Sequence, residues 1–206
     1  MTQRSSAAGT GWWQAGGVRM FVAVLPPVEA VEHLDEFLSV RREAAGFRWT
    51  LAEQWHLTLA FLEDLPDHKV DDLEARLERA ARRRRTMTTR FAGGGAFPNP
   101  GRAKVLYAGL DLTGDDRVEL DRLATGARAA ASKAGAPVDG QRFRPHLTLA
   151  RLGHPQEVSN WVRLLDAYEG PPWPVEEIAL VASYLGEGPR RRPRHEVVGT
   201  YPLATA

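Results

Sequence analysis

Apolar and polar positions along the chain change period several times, and each change marks an element. Val18–Leu25 is a compact apolar run stopped by Pro26–Pro27, which predicts a buried strand. From Val28 to Ala45 the apolar residues Val31, Leu34, Phe37 and Leu38 recur at helical spacing, and Gly46 ends the pattern. Phe47–Thr50 reads as a short strand and Trp55–Leu62 as an alternating one. Val70–Arg83 sets Leu73, Leu77 and Ala80–Ala81 on one face, with acids early and arginines late, as the helix dipole favours. Thr86–Ala92 and Ala103–Leu110 predict strands flanking Gly93–Gly95 and a Pro-Asn-Pro-Gly turn. Asp115–Lys133 predicts a long helix closed by Gly135. Arg144–Leu152 follows as a strand opened by Pro145, and Glu157–Tyr168 as a helix. Glu176–Leu185 and Glu196–Leu203 close the chain as two strands.

The sum is an α+β chain whose halves each read strand, helix, strands, which prompts a search for a repeat. Residues 56–62 read HLTLAFL and residues 146–152 read HLTLARL, six of seven identical and 90 residues apart. A buried strand accounts for Leu-x-Leu, but not for His and Thr recurring at the same two places. Alternate residues of a strand share a face, so His56 and Thr58 oppose Leu57 and Leu59. His146 and Thr148 oppose Leu147 and Leu149 in the same way. Two lobes packed about a pseudo-twofold axis would bring both pairs to one groove, where imidazoles and hydroxyls can grip a tetrahedral anion. Displacement at phosphorus needs a base for the attacking water and an acid for the leaving oxygen, and histidine serves either role near neutral pH. The threonine hydroxyls can hydrogen-bond the non-bridging oxygens.

Composition narrows the alternatives. Without cysteine there is no thiolate nucleophile, disulfide, iron–sulfur cluster or thiolate zinc site. A lone strand histidine is usually a satisfied, partly buried residue; the duplicated His-x-Thr argues against that here. Two histidines without matching carboxylates make a poor metal set: Glu63 and Asp64 follow the first motif, and nothing equivalent follows the second. Gly93–Gly95 lacks the Gly-Lys-Ser/Thr of a phosphate loop, and no Gly-x-Ser-x-Gly elbow occurs. No apolar run reaches the roughly 20 residues that span a bilayer. A net charge of +1 means that attraction to nucleic acid must come from a local patch. Arg82–Arg85 and Arg190–Arg192 with Arg194 are such patches, read either as solvated ends or as RNA-backbone contacts, with the second cluster the better placed. Phe21 and Phe143 are candidates for stacking on a base, with core packing the stronger reading for Phe21. His33, His68, His154 and His195 lack duplicated surroundings and read as surface or loop residues. Residues 1–17 read as a flexible tail, with Trp12 and Trp13 unexplained, and 18–206 as one bilobal domain.

The paired tetrapeptides, together with MFVAVLPP, RWTLAEQWHLTLAFLEDL, FAGGGAFPNPGRAKVLYAGL and RFRPHLTLARL, resemble the two-histidine (2H) phosphoesterases. Within that group they look like the LigT-like RNA 2′,3′-cyclic phosphodiesterases, also called 2′-5′ RNA ligases. The resemblance extends from Val18 onward and implies a bilobal pseudo-twofold fold, two antiparallel sheets around a central cleft with helices outside. It implies hydrolysis of a terminal 2′,3′-cyclic phosphate to a 2′-phosphomonoester, or the reverse ligation. His56 would be the proton donor and His146 the proton acceptor. Thr58 and Thr148 would bind phosphate, and Arg151 matches a family arginine near it. Neither metal nor ATP is expected. The partners implied are RNA with 2′,3′-cyclic phosphate ends or small cyclic nucleotides. From the sequence itself, the lack of cysteine is compatible with a reducing, cytoplasmic setting, the lack of a long apolar run argues against a membrane partner, and nothing demands more than a monomer. Glu63 stands where relatives carry glycine. The alternative in another class is an RNA-end or nucleotide binding module without turnover, which would tolerate loss of the histidines.

Overall fold

The computed structural model describes residues 18–138, 142–188 and 192–205. The stretch 1–17, with Trp12 and Trp13, and Arg190 and Arg191 of the second basic cluster lie outside the described residues. In chain order the elements are β1 (Val18–Val24), α1 (Val28–Arg42), β2 (Arg48–Trp49), β3 (Leu57–Leu65), α2 (Val70–Ala81), β4 (Met87–Phe97) and β5 (Ala103–Asp111). Then come α3 (Gly114–Ala134), β6 (Leu147–Gln156), α4 (Ser159–Asp166), β7 (Trp173–Val175), β8 (Glu177–Tyr184) and β9 (Arg194–Pro202).

The strands lie in the order β7-β4-β5-β6-β3-β1-β8-β9, with β2 added beside β6. One lobe is therefore β3-β1-β8-β9 and the other β7-β4-β5-β6-β2. They join at a single antiparallel pair, Leu57 with Leu147, the same residue of each repeat. All the paired strands of both lobes run antiparallel. Helices cover the back: α2 and α3 pack on each other and behind β3, β8 and β9, while α1 and α4 lie against β4. The leucines of both repeats anchor this core, with Leu57, Leu59, Leu62, Leu147 and Leu149 at no more than 1% exposure. Burying each such side chain contributes roughly 2 kcal/mol.

Three differences from the sequence pattern have physical causes. The strand predicted to stop before Gly93 runs on to Phe97. Gly94 and Gly95 are strand residues pressed against neighbours: a β-carbon on Gly94 would lie 2.5 Å from Leu165, and one on Gly95 would lie 2.3 Å from the Tyr107 hydroxyl. The strand predicted from Arg144 begins at Leu147, so both motif histidines stand just ahead of their strands. The three-residue β7 escapes pattern reading because it is short and holds Pro174, which an edge position tolerates.

Candidate active site

The site is built on the junction of the lobes. Continuing the Leu57–Leu147 register by one residue sets His56 beside Thr148 and His146 beside Thr58. The leucines point back to the core and the four polar side chains line one cleft of about 1210 Å³. Each imidazole is held in the same way. The Nδ1 of His56 donates to the Gln54 carbonyl at 2.7 Å, and the Nδ1 of His146 donates to the Arg144 carbonyl at 2.7 Å. A carbonyl only accepts, so both rings carry their proton on Nδ1 and leave Nε2 free.

The two strands also share a distortion. Pairing of β1 with β3 matches Phe21 to Phe61 and Val22 to Ala60, then Ala23 to Thr58, so Leu59 is an extra residue. Pairing of β5 with β6 matches Val105 to Arg151 and Leu106 to Ala150, then Tyr107 to Thr148, so Leu149 is extra. A bulge of this kind flips the facing of all later residues. Strict alternation from His146 would send Arg151 to the core face with Leu147 and Leu149. The bulge turns it into the cleft instead, and it does the same for Phe61.

Surroundings distinguish the two histidines. Phe21 stacks on His56 with centroids 4.3 Å apart, and His195 meets the same imidazole edge-on at 5.5 Å. Phe97 and Tyr107 meet His146 edge-on at 4.9 and 5.4 Å. Burial pushes the His56 pKa down to about 4, and the charges of His195, His146 and Arg151 add to the shift against its hydrogen bond to Gln54. Burial, with Arg151 behind it, also lowers His146. These surroundings favour two neutral imidazoles at pH 7, the ring implied to donate a proton being the more strongly neutral. An anionic phosphate between them favours the imidazolium form.

Charge in the cleft is one-sided. Seven arginines line it and, among the described residues, no aspartate or glutamate does. Arg48 and Arg151 stand directly across from each other on β2 and β6, a like-charge pair that destabilises a sheet unless an anion lies near. A chain of net charge +1 thus concentrates its positive field at one place. Among the described residues no cluster of three or more His, Asp or Glu is positioned to hold a metal ion.

All of His56, Thr58, His146, Thr148, Arg151, Phe21 and Phe143 line this cleft. Phe21 is corrected in one respect. At 2% exposure, with its face against His56, it has no room for a base and serves as backing for the imidazole. Phe143 is half-buried and packs partly against the core. His195, read from sequence as a surface residue, is the third imidazole of the cleft. It arrives through the pairing of β9 with β8 opposite Ser183, and nothing in its local sequence signals that placement. The first basic cluster points elsewhere: Arg82 pairs with Glu78, Arg84 with Glu119 and Arg85 with Asp116. Of the second cluster, Arg192 lines the cleft, whereas Arg194 pairs with Glu187 and Glu196.

Two identically held imidazoles, a hydroxyl beside each and a cationic wall make up the cleft of a two-histidine phosphoesterase. The chain belongs to the 2′-5′ RNA ligase superfamily, whose family model matches residues 26–187. It is 34% identical over 174 residues to the RNA 2′,3′-cyclic phosphodiesterase of Thermus thermophilus, covering 82% of this chain and 83% of that one. A protein of the same name from Archaeoglobus fulgidus is 32% identical over 147 residues, covering 71% and 80%. A solved structure from Thermus thermophilus superposes with a TM-score of 0.73 at 32% identity, covering 91% of this chain and 98% of that one. Escherichia coli LigT shares the fold, with a TM-score of 0.72 at 23% identity over 92% and 99% of the two chains.

Proposed function

We propose that this protein is an RNA 2′,3′-cyclic phosphodiesterase that opens a terminal cyclic phosphate to a 2′-phosphomonoester. The observation that carries the reading is the pair of His-x-Thr motifs meeting at Leu57 and Leu147, with both Nε2 atoms left free in an arginine-lined cleft. The similarity to phosphodiesterases of that name supports it.

The chemistry follows from the groups present. His146 takes a proton from water as its oxygen bonds to phosphorus, the P–O3′ bond breaks, and His56 delivers a proton to O3′. The products are a 2′-phosphate and a free 3′-hydroxyl. Thr58 and Thr148 hold the non-bridging oxygens in line, and Arg151 offsets the charge that develops on them. Because burial keeps His56 neutral near pH 7, it acquires its proton together with the anionic substrate. Ligation through a 2′-5′ linkage uses the same groups in the same roles, with an RNA 5′-hydroxyl in place of water: His146 takes its proton as O5′ bonds to phosphorus, the P–O3′ bond breaks, and His56 protonates O3′. The substrates are RNA ends bearing a 2′,3′-cyclic phosphate, or small cyclic nucleotides.

The deciding experiment incubates the protein with an RNA oligonucleotide ending in a 2′,3′-cyclic phosphate, with EDTA present, and identifies the new end group. A 2′-phosphate end is expected. A 3′-phosphate end would overturn the assigned regiochemistry, and binding without turnover would leave an RNA-end binding module. The profile of kcat/KM against pH should be a bell centred below 6.5, because free-enzyme kinetics report two lowered imidazoles.

A further inference from the structure

The cationic side chains of the cleft fall into two groups. Arg48 and Arg151 stand on β2 and β6 of the second lobe, whereas Arg19 on β1, Arg192 just ahead of β9 and His195 on β9 belong to the first. Strand register sets Arg19 opposite Ser183 and Ser183 opposite His195, one straight row across β1, β8 and β9. Cross-strand partners share a face, and all three line the cleft, while Met20 and Ala182 one residue along are buried. The row ends beside the reacting groups, because the ring of His195 meets that of His56 at 5.5 Å. Gln54 fixes this neighbourhood. Its carbonyl accepts from the Nδ1 of His56, and its side-chain amide donates to the Pro193 carbonyl at 2.7 Å. One residue thus ties the first imidazole to the segment that carries Arg192 and His195. Carboxylates do not offset the charge there. Glu187 and Glu196 are both engaged by Arg194, and among the described residues Arg19 and Arg192 form no ion pair.

We infer that Arg19, Ser183, Arg192 and His195 form a second phosphate subsite, which takes the phosphodiester linking the terminal nucleotide to the rest of an RNA strand. The inference rests on the phosphodiesterase reading above and narrows its substrate to an oligonucleotide end rather than a free cyclic nucleotide. The direction of the strand follows from the proton transfers. His56 protonates O3′, an atom of the terminal ribose, so that ribose lies on the His56 side of the phosphorus. The strand leaves the ribose through O5′ and runs out over the lobe that carries His56, where the row stands. The serine hydroxyl and an imidazole N–H donate to the phosphodiester oxygens, and the two guanidinium groups offset its charge. Such contacts position the strand without reading its bases.

The test uses adenylyl-adenosine 2′,3′-cyclic phosphate with its natural phosphodiester or with an uncharged methylphosphonate in that place. The wild type should prefer the natural linkage about tenfold in kcat/KM, the size of one charge-assisted hydrogen bond. A double variant, Arg19→Ala with Arg192→Ala, should bring the two linkages within about twofold of each other. It should also cost the natural dinucleotide at least about fivefold more than adenosine 2′,3′-cyclic phosphate, which has no 5′ phosphate. His195→Gln is read through the same linkage preference, which should fall at least about threefold whatever the contact with His56 does to the rate. A wild type indifferent to the linkage would overturn the inference, as would a double variant that keeps the preference. Equal losses on all three substrates would overturn it too, because the arginines would then act through the reacting site. Calorimetric titration with adenylyl-adenosine 2′-monophosphate in both linkages keeps the two readings apart. If the wild type turns over none of the cyclic phosphates, the phosphodiesterase reading fails. A binding preference for the charged linkage that the double variant loses still supports the subsite, and equal binding overturns it.

Discussion

The two copies of the repeat are alike in the histidine, the threonine and the way each imidazole is held, and unlike in what surrounds them. Both present a histidine pinned through Nδ1 to the carbonyl two residues earlier, a threonine on the same face, buried leucines behind, and an extra leucine that bulges the strand. Around them, the first copy is backed by Phe21 and His195 and ends in Phe61, whereas the second is flanked by Phe97 and Tyr107 and ends in Arg151. A phosphate with exchangeable oxygens suits the symmetric part. A nucleotide has distinct ends and needs the asymmetric part. The comparison teaches that duplication can supply a pair of identically held imidazoles while single replacements give the cleft two different ends.

Equality of the histidines is the easiest point to break. Replacing either His56 or His146 with alanine should lower kcat at least about a hundredfold with substrate binding less affected, read from steady-state kinetics on the cyclic-phosphate oligonucleotide. Retained activity in one single variant would show that the copies do not share the chemistry.

Next in size is the cationic end. Arg151→Ala removes a charge-assisted contact of about 1.5–3 kcal/mol, so kcat/KM should fall about tenfold to a hundredfold, and inhibition by inorganic phosphate should weaken in parallel. Loss of activity without a change in phosphate inhibition would place Arg151 outside the anion site.

Support of His146 is sharper than support of His56 and can be tested separately. Gly95→Ala would put a methyl group against the Tyr107 ring, which packs edge-on to His146. Overpacking of this kind costs about 1–3 kcal/mol, measurable by denaturant unfolding, and kcat should fall with it. Unchanged stability would mean that Tyr107 moves freely.

The smallest effect is on stability against pH. Folding lowers the His56 pKa to about 4, so between there and its unfolded value near 6.5 the unfolded chain binds more protons. Stability is therefore full above pH 6.5 and is lost as pH falls toward 4, with a slope from this residue of at most about 1.4 kcal/mol per pH unit. His56→Gln should flatten that window in urea titrations; an unchanged slope would assign it to His146 and His195, whose pKa values are also lowered.

The amino-acid pattern alone determined the helices, most strands, the pairing of histidine with threonine and the expectation of a two-lobed anion site. It could do so because strand alternation and a repeated heptapeptide are local properties. It did not determine the facing of Arg151 or Phe61, since a bulge is defined only against a partner strand and strict alternation gives the opposite answer. His195 joins the cleft through two successive strand pairings, β9 to β8 and β8 to β1, and Phe21 loses its free face to a neighbour 35 residues away (56 minus 21). The burial that keeps both imidazoles neutral is likewise a property of the closed cleft. Local periodicity chose the chemistry; pairing between distant strands decided which side chains meet it.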